Sequence, residues 1–191
     1  MAPSTIKTDV IDADAHVVES EQAWDYLEAS EEKYRPTLKP SPENPHRQNW
    51  FLDDGNLKPR SSSPNERQSA AHFERFGREV ATPVEAREVS DVRQRLRHMD
   101  ELGIDVRVLY NSLWLTPLTR RPDAEIALCW SWNRWLADVA KKSKGRLRYS
   151  CVVPGMDIGE AVAQIKFAKE GQICGLLWSA PQGLDRIRRQ F

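Results

Sequence analysis

The chain has 191 residues, 40% hydrophobic and 29% charged, with 28 Lys+Arg against 28 Asp+Glu. A formal charge of zero gives no overall attraction to phosphate backbones, so no nucleic-acid partner is expected, and no segment approaches the ~18 apolar residues of a membrane helix. MAPSTIKTDV lacks the apolar run of a signal peptide, and Cys129, Cys151 and Cys174 stand far apart without CxxC spacing, which together point to a cytoplasmic protein with reduced, buried thiols.

The first apolar segment, from Asp9 to Val17, predicts a strand, and the stretch around Trp24 and Leu27 a short helix. From Tyr34 to Val84 seven prolines, at 36, 40, 42, 45, 59, 64 and 83, exclude long regular elements. This 34–84 segment reads as an inserted excursion. Within it the Asp54-Gly55 pair, flanked by Trp50, Phe51 and Leu52 on one side and Leu57 on the other, predicts a β-hairpin.

Regular alternation follows the insert. Ser90 is placed to cap a helix with Val92, Leu96, Met99 and Leu102 on one face, and Gly103 to end it. Ile104 to Asn111 has the composition of a buried parallel strand. A long helix is predicted from Asp123 to Lys142, a strand from Arg146 to Val153, a helix marked by Ile158, Val162, Ile165 and Ala168 and closed by Gly171, and a strand from Ile173 to Ala180. Alternation of this kind implies a parallel sheet with right-handed crossovers.

The long helix holds Trp130, Trp132 and Trp135, three of the seven tryptophans. Ile126, Trp130, Leu136 and Ala137 form one apolar stripe, Leu128, Trp132, Trp135 and Val139 a second, and Ser131, Arg134, Asp138 and Lys141 a narrow polar strip between. Such a helix is covered on two sides, and a core helix under the insert is favoured over a partner interface because single apolar patches on monomers are usually covered. Asn133 falls inside the first stripe and should have its amide hydrogen-bonded there.

The most specific local feature for chemistry is IDADAH, residues 11–16, at the end of the first strand. Side chains two apart in a strand share a face, which puts Asp12, Asp14 and His16 together, with small alanines between them. The C-terminal ends of parallel strands are where such sheets carry active sites, and a carboxylate with an imidazole can chelate a divalent ion. On pattern alone, capping of the following turn by Asp12 and Asp14, with His16 as a rim or core histidine, accounts for the same residues. His46 and His72 read as solvated loop residues and His98 as a surface residue. There is no GxSxG, GxGxxG or GxxxxGK[ST].

Taken together, DADAH, WFLDDG, SDVRQRLRHMDELGIDVRVLY and NRWLADV resemble the amidohydrolase-related family that includes aminocarboxymuconate-semialdehyde decarboxylase and related metal-dependent hydrolases. The resemblance runs from about Val10 to Leu177, and the segment from Asp91 to Tyr110 is its most specific part. It implies an α/β fold, a (β/α)8 barrel with one divalent metal at the C-terminal mouth. This chain would supply about four βα units, so that residues 1–191 form an N-terminal half of the ~250-residue barrel, cut short by an early stop, frameshift or incomplete gene model.

Carried over by residue, Asp14 and His16 match metal positions. Many members have His-x-His there, so Asp14 brings a hard oxygen; zinc is expected, with manganese as the alternative. The resemblance also implies a small-molecule substrate, an organic acid or an amide- or ester-like compound, and either hydrolysis or decarboxylation. The family's later ligands and acid-base residues have no counterpart in this sequence. Two other readings stay open. A non-catalytic half-barrel would pair with itself or another chain through exposed edge strands. A complete small doubly wound domain would bind a ligand at the loops after its strands.

Overall fold

The computed structural model describes residues 9–42, 45, 48–52, 55, 57–59, 74, 82–171 and 173–178. His46, His72, the Cys174 side chain, the Arg186–Arg189 run and the tail after Trp178 lie outside the described residues.

The first strand, β1, spans Ile11–His16. A 3-10 turn at Glu21–Trp24, a second at Glu32–Tyr34 and a small sheet follow, built from β2 (Thr37–Pro40), β3 (Gln48–Phe51) and β4 (Leu57–Pro59). Then come α1 (Val84–Glu88), α2 (Val92–Glu101), β5 (Val106–Tyr110), a 3-10 turn at Leu113–Leu115, α3 (Pro122–Lys142), β6 (Leu147–Val153), α4 (Ile158–Glu170) and β7 (Ile173–Trp178). The main sheet has the order β1-β5-β6-β7, all parallel, as the alternation predicts. Closure into a barrel is not seen among the described residues.

The insert differs from expectation in detail. The hairpin of β3 and β4 pairs Phe51 with Leu57, so the connection is residues 52–56, longer than a two-residue turn, with Gly55 at φ +77°. β2 adds a third antiparallel strand that the prolines hid. Trp50 of β3 is fully buried and meets Trp24 edge-on at 5.7 Å. From there the contacts run Trp24–Trp114, Trp114–Trp132 and Trp132–Trp135, with centroids 5.0–5.7 Å apart. The second stripe of α3 is thus covered from within the chain, as the core-helix reading expects.

The polar strip of α3 needs correction. Ser131 is buried and donates to the Ala23 carbonyl at 2.7 Å. Arg134 donates to the Tyr26 carbonyl at 3.2 Å and pairs with Glu28, and Asp138 accepts from Tyr26 Oη at 2.7 Å. The segment after the first 3-10 turn therefore lies along this strip.

Helix ends obey their caps. Asp91, not Ser90, caps α2, accepting from Arg93 N–H at 2.9 Å, and Gly103 follows the helix at φ +68°. Leu102, assigned to the buried face, is exposed. Pro122 stands where the first turn of α3 needs no N–H donor. In α4 the core side is made by Gln164 and Ala168, helped by Ala161 and Ile165, whereas Ile158 is 82% exposed and Val162 is also exposed. Gly171 follows α4 as its cap, and a Cβ there would lie 2.8 Å from Tyr149 Oη, so the position favours glycine.

Candidate functional site

β1 does not keep the simple alternation of its sequence. Asp12 pairs in register with Arg107 and Ala15 with Leu109, so β1 carries one more residue than β5 over this span. This bulge turns Asp12 away from the face of His16. Arg107 Nε donates to Asp12 Oδ2 at 2.9 Å, and Asp12 Oδ1 accepts from the Asp14 N–H at 3.2 Å. Asp12 therefore bonds to Arg107 and within β1 itself, not to the turn that follows, and is not grouped with the other two.

Asp14 and His16 do come together. His16 Nε2 lies 3.7 Å from Asp14 Oδ1, with the two side chains 48% and 90% exposed. Nδ1 of His16 lies 3.4 Å from Ser112 Oγ, just past the end of β5, and its ring stands 6.4 Å from that of Tyr110. The pair thus sits at the C-terminal ends of two neighbouring parallel strands. Two donors each ~2.1 Å from one tetrahedral ion are about 3.4 Å apart, so the pair fits as two ligands of one divalent ion. A cluster of three or more His, Cys, Asp or Glu able to hold a metal is not found among the described residues.

Two carboxylates unforeseen in the sequence support the strand ends. Glu19 is buried and accepts from the N–H groups of Ser112 at 2.6 Å and Leu113 at 2.7 Å. Burial pushes its carboxyl up from the usual carboxylate range, against the lowering by those N–H groups. Glu125, in the first turn of α3, accepts from Met156 N–H at 3.1 Å just after β6, and burial pushes its carboxyl up too. The signal for Glu19 in the sequence is one charge in the short run VVES that leaves β1.

The other singled-out residues have structural surroundings. His98 is half-buried; burial, then Arg107 and Arg95, press its imidazole below the usual range, so the surface reading does not hold. Arg95 donates to the carbonyls of Ala86 at 2.9 Å and His16 at 3.3 Å, tying α1 and α2 to the end of β1. Cys129 and Cys151 are buried free thiols, each pushed up by burial. Among the described residues, no helix is long and apolar enough to cross a membrane.

Fold and site together define an α/β protein with a parallel sheet and polar side chains gathered where its strands end. No family model matches the chain, and no curated protein matches it in sequence. Among solved structures it is similar to an amidohydrolase from Mycobacterium avium subsp. paratuberculosis K-10, 16% identical, with a TM-score of 0.62 over 91% of this chain and 50% of that one. It is also similar to the IDCase of Metarhizium anisopliae in apo form, 19% identical, with a TM-score of 0.47 over 84% of this chain and 39% of that one. At these identities the mycobacterial likeness shows the fold, a partial amidohydrolase-like arrangement, and the fungal one carries no argument. The chain spans half the length of the mycobacterial amidohydrolase.

Proposed function

We propose that this chain provides the first-strand part of the site of a metal-dependent hydrolase or decarboxylase acting on a small organic acid or an amide- or ester-like compound. The observation that carries it is the placing of His16 Nε2 beside Asp14 Oδ1, 3.7 Å apart, at the strand C-termini of an amidohydrolase-like sheet. Asp14 and His16 would hold one divalent ion, zinc or, given the carboxylate donor, manganese. The chemistry supplied with such an ion is Lewis-acid polarisation of a carbonyl or carboxyl group and a water made acidic towards pKa ~7. The chain's own residues hold the frame: Asp12 and Arg107 pin the base of β1, Ser112 meets the His16 ring, and Glu19 fixes Ser112. A catalytic zinc normally has three protein ligands, so with two among the described residues turnover by this chain alone is expected to be very low. The buried thiols keep the cytoplasm within this reading.

Zinc content of the purified chain, compared with His16→Ala and Asp14→Ala, tests the assignment. Loss of bound metal in both variants supports it, and equal metal in all three proteins sinks it.

A second reading, a half-barrel that associates with itself or another chain, is favoured by the apolar residues left on the surface: Val10 just before and Ile11 on the outer strand β1, and Ile158 and Val162 on α4. Light scattering at micromolar concentration decides it, a clean monomer counting against.

A further inference from the structure

Paired residues of neighbouring parallel strands share a face, and so do residues two apart along one strand. Ala15, Leu109 and Tyr149 share the face that packs into the core with α3. Ile11, Val106, Val108, Tyr110, Arg148 and His16 share the other. That second face is open: Ile11 is 59% exposed, and His16 and Arg148 are exposed with it. Arg148 makes no ion pair among the described residues, and the Asp14 side chain is 90% exposed. The strand edges are open as well. Val106 N–H donates to Val10 O, so by the alternation of a parallel ladder Ile11 turns its own N–H and carbonyl away from β5. At the other end of the sheet order, the far edge of β7 is unpaired among the described residues.

A two-fold axis along the strands keeps every strand parallel and sets β7 of each copy beside β1 of the other. Two copies of the four-stranded sheet then supply the eight strands of a closed parallel barrel, through two equal contacts that leave no edge. In that ring the two β1 strands are opposite each other, and an eight-stranded interior is only wide enough for side chains to fill. The two Asp14–His16 pairs therefore face each other across one mouth. β6 runs midway between the two β1 strands, so the two Arg148 cations balance the two exposed Asp14 carboxylates on the enclosed face. We propose that two copies of this chain close edge to edge into one barrel whose mouth collects both Asp14–His16 pairs into a single site. The inference rests on the self-association reading above, gives it a geometry, and supplies the further ligands that one copy lacks.

Ile11 and Ile158 are both exposed, so a lysine at either leaves a single copy folded. On closure Ile11 enters the barrel interior, whereas Ile158 stays outside on α4. Sedimentation equilibrium of the 191-residue chain is expected to give a dimer for the wild type and for Ile158→Lys. For Ile11→Lys the dissociation constant should rise on the order of 100-fold or more, because closure would bury an unpaired ammonium. Dissociation by Ile158→Lys, a dimer that survives Ile11→Lys, or an assembly larger than two overturns the closure and leaves self-association standing. A monomeric wild type at every concentration reached overturns both. Added Zn2+ is expected to tighten the wild-type dimer and to leave that of His16→Ala unchanged. A dimer that binds Zn2+ with no change in its dissociation constant overturns the shared site. A dimer with the expected lysine pattern that binds no Zn2+ overturns the metal assignment and upholds the closure.

Discussion

Asp12 and Arg107 stand opposite each other on neighbouring parallel strands, and the Arg107 Nε donates to Asp12 Oδ2 at 2.9 Å. The guanidinium is nearly buried, with 9% of its side chain exposed, and Arg95 adds a second buried cation nearby. Removing one partner of a buried pair leaves the other charge uncompensated, at a cost of about 3–5 kcal/mol; with Asp12 29% exposed, the lower end of that range applies. Asp12→Ala is therefore expected to lose about 3 kcal/mol in urea unfolding. An unchanged midpoint would mean that Arg107 finds water instead.

Asn133 carries a different load. Its Nδ2 donates to Val152 O and to Gln164 Oε1, both at 2.7 Å, and its Oδ1 accepts from Val152 N–H at 3.0 Å. One amide side chain thus serves both backbone groups of Val152, a residue of β6 beyond its pairing with β5. Asn133→Ala orphans three buried polar groups, and at ~1–3 kcal/mol each, with partial relaxation, a loss of about 3–5 kcal/mol is expected. Asn133→Asp, though nearly the same shape, should be at least as damaging near neutral pH, because a carboxylate cannot donate to Val152 O. Denaturant titration of both variants checks this, and a stable Asn133→Asp would show that the donor half of the amide is dispensable.

Much of this arrangement is legible in the residues. The 3-and-4 spacing of Val92, Leu96 and Met99, the composition of Val106–Tyr110 and the two stripes of α3 each match an element, because local periodicity carries that information. What escapes is decided by partners far off in the chain. The bulge in β1 depends on pairing with β5, so IDADAH looks like an unbroken alternation that groups Asp12 with His16. Ser131 looks solvated until the segment around Ala23 is known to lie over it. In α4 the pattern marks Ile158 and Val162 as apolar, but the packing against β6 selects the side of Gln164 and Ala168. Asp14 and His16 were legible because they are neighbours on one strand end; Ser112 and Glu19 were not, because the strand order brings them there.

Trp50 anchors the small sheet in the core, with Leu38 of β2 packed beside it against the same cluster. It is fully buried and edge-on to Trp24, which in turn packs on Trp114. Trp50→Ala is expected to cost about 3–5 kcal/mol, as for a large aromatic removed from a core. Hydrogen exchange locates the damage: amides of β2 and β3 should lose protection well before those of β5 and β6. Uniform loss across both sheets would show that the insert and the main sheet unfold as one unit.

Glu125 gives a pH dependence with a definite sign. Burial raises its folded pKa above the ordinary carboxylate value, so the native state holds a proton that the unfolded state has released. Its contribution to stability is present below the unfolded pKa and is lost as pH rises through the folded one. Glu19 acts in the same direction. Asp138 acts in the opposite one: burial raises its pKa, but the bonds from Lys142 and Tyr26 outweigh this and lower it, so its contribution is lost as pH falls. Glu125→Gln removes the charge while keeping an oxygen for the Met156 N–H. The variant should therefore gain stability relative to wild type as pH is raised from about 4 to about 8. Parallel curves of urea midpoint against pH for the two proteins would show that Glu125 does not titrate differently on folding, and that its carboxylate is solvated despite its place under the loop after β6.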